Sequence, residues 1–269
     1  MKLVSSAKLR KAQNAIEAMR PYEEQLLGIL ASLQGGMAGV SSLNLGKNKD
    51  ERKTIVAIAS NSSLCGGFNA NAIAKVRAIR RPGDTVYAIG RKMADAMRKE
   101  GFASPEDFSA LSEHPSYGPA AALVEKLVAD VEAGRTGAVV LVYNHFVSTA
   151  RQEPVVEVLM QRETPDQVGG DRGVEERDSS PAPSYIAPLL EPSRAALLEA
   201  LVPKTRKLKL YAALLDSAAA EHAARTVAMQ TATDNAENLL AELTLQYNKG
   251  RQQKITSEIL DLAGGQAEN

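Results

Sequence analysis

The spacing of hydrophobic positions changes twice along this chain. Residues 1–34 carry apolar side chains at Leu3, Val4, Leu9, Ile16, Met19, Leu26, Ile29, Leu30 and Leu33, a spacing that predicts a helix. Pro21 falls inside it and predicts a kink or a junction between two helices. From Gly35 to Arg52 the residues are mainly Gly, Ser, Asn and Lys, which predicts a loop. Short apolar, β-branched runs follow. Thr54–Ala59 (TIVAIA), Asp84–Ile89 (DTVYAI), Ala138–Val147 (AVVLVYNHFV) and Glu153–Met160 (EPVVEVLM) predict strands. Between them, helices are predicted after the turn SNSSLCGG, near Arg91–Lys99 and over about Gly118–Ala133. The stretch from Gln161 to Ser184 is polar, charged and rich in Gly and Pro, and reads as a loop. Glu191-Pro192-Ser193 then opens a helical region, which Pro203 interrupts. From Lys204 to Leu262 the chain runs without proline, and Gly250 is its only glycine.

That last stretch predicts a helix about 90 Å long, far beyond the usual globular helix of about 8–20 residues. It cannot hide inside one domain and reads as a rod. Two heptad rows can be traced along it. One holds Leu208, Leu215, His222, Met229, Ala236 and Leu243; the other holds Ala212, Ala219, Thr226, Thr233, Leu240 and Tyr247. A stable parallel zipper wants Leu and β-branched residues in these rows. Small residues instead let two helices approach closely while self-associating weakly. The plainer alternative is a helix that spans a domain and packs on ordinary neighbours. The expected organisation is a helix over 1–34, an α/β domain over 53–190 with a loop at 161–184, a long helix over 191–263 and a tail over 264–269. The two terminal helices flank the small domain, so they can return alongside each other as an antiparallel pair. The first would be roughly 50 Å long, which leaves part of the longer helix without a partner.

Composition narrows the function classes. The chain of 269 residues has 32 basic and 32 acidic side chains and no Trp. A net charge of zero argues against a nucleic-acid binder. Cys65 is the only cysteine, so no intrachain disulfide can form, and a reducing compartment is the natural reading. No run approaches the roughly 20 apolar residues that span a bilayer, and MKLVSSAKLRKAQ lacks the apolar core of a signal peptide. The one local imbalance is a basic stripe, Lys2, Lys8, Arg10, Lys11 and Arg20 against Glu17 alone, over the first twenty residues. It is either a solvated helix face or a surface for an acidic partner.

Candidates for chemistry are weak. The turn Ser63-Leu64-Cys65-Gly66-Gly67-Phe68-Asn69 lies between a strand and a helix, where phosphate cradles occur. It matches neither GxGxxG nor GxxxxGK[ST], and close strand–helix packing is the expected reason for its glycines. Cys65 reads as a buried thiol; as a nucleophile it would need His114, His145 or His222 beside it. Three scattered histidines do not suggest a metal site. The acidic residues of the 161–184 loop are interleaved with Arg162, Arg172 and Arg177, as in a solvated loop. An α/β enzyme with a helical oligomerisation arm and a coiled-coil scaffold remain alternatives on this reading.

Four segments carry a resemblance. MKLVSSAKLRKAQ, SLCGGFNANAI, EHAARTVAMQTATDNAENLL and LQYNKGRQQKITSEILDLAGG resemble, in order and spacing, signatures of the gamma subunit of the rotary, proton-driven F-type ATP synthase. The resemblance implies an α/β fold: an antiparallel coiled coil of the N- and C-terminal helices plus a small Rossmann-like α/β domain. It implies a shaft inside a ring of three alpha and three beta subunits, with its foot and the epsilon subunit on the membrane c-ring. Proton flow would turn the ring, and the shaft's asymmetry would drive each beta site through its states. The chain itself would carry no catalytic residue, cofactor or metal, and would not enter the membrane. It would be peripheral, on the cytoplasmic face of the bacterial inner membrane. Carried over by position, Arg251, Gln252 and Thr256 would face the beta subunits high on the shaft, and Met1, Lys2 and Lys8 would do so from the first helix. Arg225 would face them lower down, with Glu191 as its intrachain acidic partner. Family members carry further residues before the methionine that matches Met1, so this chain is expected to lack the first turns of that helix, through a misassigned start or a truncation.

Overall fold

The computed structural model describes residues 2–33, 52–162, 191 and 193–265. Met1, the expected loop at 35–51, most of the 161–184 loop, Pro192 and the tail from 266 lie outside the described residues. In order, the elements are α1 (Lys2–Leu33), β1 (Lys53–Ile58), α2 (Phe68–Ile79), β2 (Thr85–Ile89), α3 (Arg91–Lys99), α4 (Ser109–Glu113), α5 (Tyr117–Glu132), β3 (Ala138–Phe146), β4 (Gln152–Gln161) and α6 (Arg194–Gly265). The four strands and three predicted helices of the middle region are present, and α4, too short to show a period, is the one addition.

The sheet runs β2-β1-β3-β4. The first three strands are parallel and β4 returns antiparallel to β3, with a register irregularity at Val139/Val140. All six residues of β1 are buried, as expected of a central parallel strand covered on both faces. Side chains alternate between the faces. Val56 and Ile58 point into a core with Ile89, Leu123, Leu127 and Leu141, while Ile55 and Ala57 meet Val76, Met93, Met97 and Val142. Leu210 and Leu214 of α6 belong to the first of these cores, so the lower part of the long helix is also a wall of the α/β domain.

Both prolines behave differently from expectation. α1 continues through Pro21 and α6 through Pro203 without a break in helical assignment. Each proline is exposed, so the carbonyl it leaves without an intrahelical bond lies on the water side of the helix, where the loss is smallest. α6 is therefore a single helix of 72 residues. At about 1.5 Å per residue it is about 110 Å long.

α1 and α6 run side by side. Leu9 packs on Ala219 and Ala223 with Ala12 and Ile16 nearby. Further along α1, Glu23 feels Lys209 and Asp216 of α6. Rising numbers on one helix thus meet falling numbers on the other, which is the antiparallel arrangement expected.

Candidate shaft interface and its anchorage

α6 divides into a covered part and a bare part. Between Leu208 and Ala224 most residues are buried, on the sheet, on α5 or on α1. From residue 231 to residue 260 every residue is exposed. Large apolar side chains stand in the open there, among them Leu240 at 69%, Leu245 at 71% and Tyr247 at 70% exposure. Ala236, Leu239, Leu240, Leu243, Thr244 and Tyr247 line one shallow groove. Charges alternate in blocks along the same stretch: Asp234, Glu237 and Glu242 come first, then Lys249, Arg251 and Lys254, then Glu258.

The expected contact residues fall on both parts. Arg251, Gln252 and Thr256 are all exposed on the bare part. Arg251 lies one turn beyond Tyr247, about 40° around the helix from it, whereas Gln252 and Thr256 sit about 140° and about 180° around. The Thr256 hydroxyl donates back to the Gln252 carbonyl at 2.8 Å. Lys2 and Lys8 are exposed on α1, together with Arg10 and Lys11, so the basic stripe is open to solvent.

Arg225 is placed otherwise than expected. Its side chain is only 12% exposed, pairs with Glu221 at 2.7 Å and donates to the Ser62 hydroxyl at 2.9 Å. Both ends of the guanidinium are used inside the chain, so it is a tie rather than an open contact. Glu191 is not its partner. It precedes the start of α6 at Arg194, from which 31 residues of helix, about 45 Å of rise, lead to Arg225. Glu221 takes that role, one turn below. This (i, i+4) pair was legible in the sequence from spacing alone.

Asp216, which the sequence did not single out, makes the second tie. It meets the Nδ1 of His145 at 2.5 Å, and its other oxygen accepts from the Phe146 N–H at 3.1 Å. Burial raises its pKa, opposed by the bonds from His145 and Phe146. Lys209 donates to the Val158 carbonyl at 3.1 Å and faces Glu157 at 3.2 Å. Burial likewise raises Glu221, with Arg225 opposing.

The turn between β1 and α2 is held by polar contacts. Asn69 Oδ1 accepts from the Ser60 N–H at 3.0 Å, and Asn69 Nδ2 lies 3.1 Å from Cys65 Sγ. Cys65 is 1% exposed and packs with Phe68, Ala220 and Ala224. The thiol's polar contacts are the Ser60 hydroxyl, the Ser62 carbonyl and Asn69; among the described residues none of His114, His145 and His222 bonds to it. Close packing does not explain the glycines. Gly66 has φ +56° and open space where a Cβ would stand, and Leu64 also has a positive φ. The turn's left-handed backbone is what calls for glycine at position 66.

His222 lies in the seam near Lys8, and its Nδ1 is buried without a hydrogen-bond partner among the described residues. Burial lowers its pKa to about 4, helped by Arg225 and Lys8. A depressed histidine pKa stabilises the fold above the unfolded value and is lost as pH falls through the window from 6.5 toward 4. After discounting for its partial exposure, the loss is about 2 kcal/mol. The raised carboxylates act in the opposite sense, so the difference between variants isolates His222. His222→Leu is expected to remove this acid-side loss. Urea unfolding of both proteins at pH 7 and pH 5 checks it, and parallel pH dependences would contradict it.

Comparison with known proteins follows the same geometry. The ATP synthase family model matches residues 1–267. The ATP synthase gamma chain of Phocaeicola vulgatus is 44% identical, with the alignment covering 98% of this chain and 91% of that relative. The chain belongs to the ATP synthase gamma-chain family. A second gamma chain, from Pelotomaculum thermopropionicum, is 37% identical over 99% of this chain and 91% of its own length. Among solved structures, the central stalk and c-ring of the Tetrahymena thermophila mitochondrial ATP synthase matches with a TM-score of 0.60 at 19% identity, covering 87% of this chain and 97% of that one. The rotor of the Euglena gracilis enzyme matches at 0.58 and 20%, covering 93% and 99%. These two likenesses support the fold, a long helix rising from a small α/β domain.

Proposed function

We propose that this gamma-family chain couples rotation of a membrane c-ring to ATP synthesis or hydrolysis on three beta subunits, as the shaft within a ring of three alpha and three beta subunits. The bare stretch of α6 carries the reading. A helix exposing apolar residues over about 45 Å presents a surface that soluble monomers rarely leave open, and an enclosing partner would cover it. Its exposed side chains are small, polar, apolar and mixed in charge, which suits a shaft that must not bind one orientation tightly. Arg251, Gln252 and Thr256 are the proposed beta contacts on α6, and Met1, Lys2 and Lys8 those at the N-terminus. Exposed ion pairs are individually weak, so they shape the energy of each orientation rather than hold the assembly. The α/β domain is the foot, on the c-ring with the epsilon subunit. The chain itself performs no catalysis and is peripheral to the membrane, on the cytoplasmic face. No described helix is long and apolar enough to cross a membrane.

Copurification tests this reading. A tagged chain expressed with alpha and beta subunits is expected to elute with both, and with an ATPase activity that depends on the chain; elution alone would overturn it. The enzyme alternative turns on Cys65. Cys65→Ser is expected to leave the ATPase rate of the reconstituted complex within about twofold, because the thiol is buried against α6 rather than open to substrate. A loss of hundredfold or more with assembly intact would favour thiol chemistry.

A further inference from the structure

Torque applied to the α/β domain has to reach α6 through the surface the two share; lower down, Leu210 and Leu214 interlock with the sheet and α5, but nearer the bare part that surface offers little grip. Midway along α6, Ala220 and Ala224 meet Cys65 and Phe68, while Ala219 and Ala223 meet Leu9 of α1. Apolar contact of this kind is non-directional. Packed helices interlock through ridges of side chains, and alanines make shallow ones. The strip fixes how close α6 lies to its neighbours, yet opposes its rotation only weakly.

Two polar side chains flank the strip. Asp216 grips the end of β3 at two points, the ring of His145 and the main-chain N–H of Phe146. Arg225 holds Ser62, in the turn after β1, and is itself braced by Glu221. Nine residues separate the two, so their backbone positions stand about 13 Å apart along the axis and about 180° apart around it. The side chains are 16% and 12% exposed. Hydrogen bonds weaken steeply off their preferred distance and angle, so bonds on both sides of a helix resist turning where methyl contacts do not. The partners of these two side chains are more open, His145 at 46% and Ser62 exposed, so it is the charge on Asp216 and Arg225 that strengthens these bonds. Lys209 adds a bond to β4, but through a flexible four-carbon stem that yields under load.

We propose that Asp216 and Arg225 are the rotational keys of the shaft, locking α6 to the α/β domain so that a turn of the domain reaches the bare part without slip. The proposal rests on the rotor reading above. Both are positioning residues, and Asp216 is the principal one because it holds a side chain and the main chain of the same strand.

The test uses the whole complex in sealed vesicles, with ATP hydrolysis and ATP-driven proton pumping measured on the same preparation. The double variant Asp216→Ala with Arg225→Ala is expected to hydrolyse ATP within about twofold of the parent and to pump at least fivefold fewer protons per ATP. Asp216→Glu, which keeps two carboxylate oxygens, is expected to hold that ratio within about twofold. An unchanged ratio in the double variant would overturn the keys while leaving the rotor reading intact. Absence of pumping with the parent chain would overturn the rotor reading itself, and the keys with it. If the double variant does not assemble, Asp216→Asn is read by the same ratio. It keeps an oxygen for Phe146 and removes the charge facing His145, so a drop of about twofold supports the keys and no change overturns them.

Discussion

Gly90→Ala is expected to destabilise the α/β domain by about 4 kcal/mol or more, enough to unfold many domains of this size. Gly90 has φ +100°, a conformation that L side chains rarely adopt, and a Cβ there would lie 2.1 Å from the Ala59 carbonyl oxygen and 2.8 Å from its carbon. Neither partner can retreat. The Ala59 N–H donates to the Ile89 carbonyl at 2.9 Å, the Lys92 N–H donates to the Ser60 carbonyl at 3.2 Å, and β1 and β2 are paired from Thr54↔Thr85 to Ile58↔Ile89. Moving the chain apart therefore opens a ladder in the middle of two cores. Gly66→Ala supplies the contrast. It also has a positive φ, but nothing lies within 4 Å of the new Cβ, so only conformational strain of about 1 kcal/mol is expected. Urea unfolding of the isolated chain, followed by circular dichroism, compares them; equal losses would contradict the steric argument.

The second large effect is one of function without stability. Ending the chain after Gln230 removes a stretch in which every residue from 231 to 260 is exposed. Among the described residues the cores contain Leu210, Ala213, Leu214, Ala219, Ala220, Ala223 and Ala224 of α6 and none that follows Ala224 on that helix. Unfolding of the shortened chain, monitored by tertiary signals from the tyrosines Tyr87 and Tyr143 in the core, is therefore expected to stay within about 1 kcal/mol of the parent. ATP-driven proton pumping by the reconstituted complex is expected to fall at least tenfold, because the removed stretch is the part proposed to reach the beta subunits. Loss of both together would mean that the bare stretch supports the fold. Full pumping would mean that it does not carry torque.

Much of this was legible in the sequence because the signals are local. The β-branched runs, the proline-free stretch and its small-residue rows each fix an element without reference to anything distant. Pro21 and Pro203 misled because proline's effect depends on which side of a helix faces water, and that is set by packing. The Gly66-Gly67 turn was located correctly but explained wrongly, since sequence does not distinguish a crowded glycine from one with positive φ. The ties between shaft and domain divide the same way. Glu221 and Arg225 are neighbours on one helix and could have been paired by spacing, which makes the assignment to Glu191 an avoidable error. Asp216 with His145, and Arg225 with Ser62, join residues 71 and 163 positions apart. Only the folded chain brings those pairs together.

If this chain is the shaft, its α/β domain must turn while the beta subunits stand still. A complex of this chain with alpha and beta subunits would be fixed to a surface through the beta subunits. An optical marker would be attached to the α/β domain at Glu132→Cys, an exposed position at the end of α5; the native Cys65 is buried. With ATP, the marker is predicted to turn continuously in one direction, at a rate that follows ATP concentration. ATP hydrolysis at the normal rate with a stationary marker would contradict the claim that this chain is the shaft.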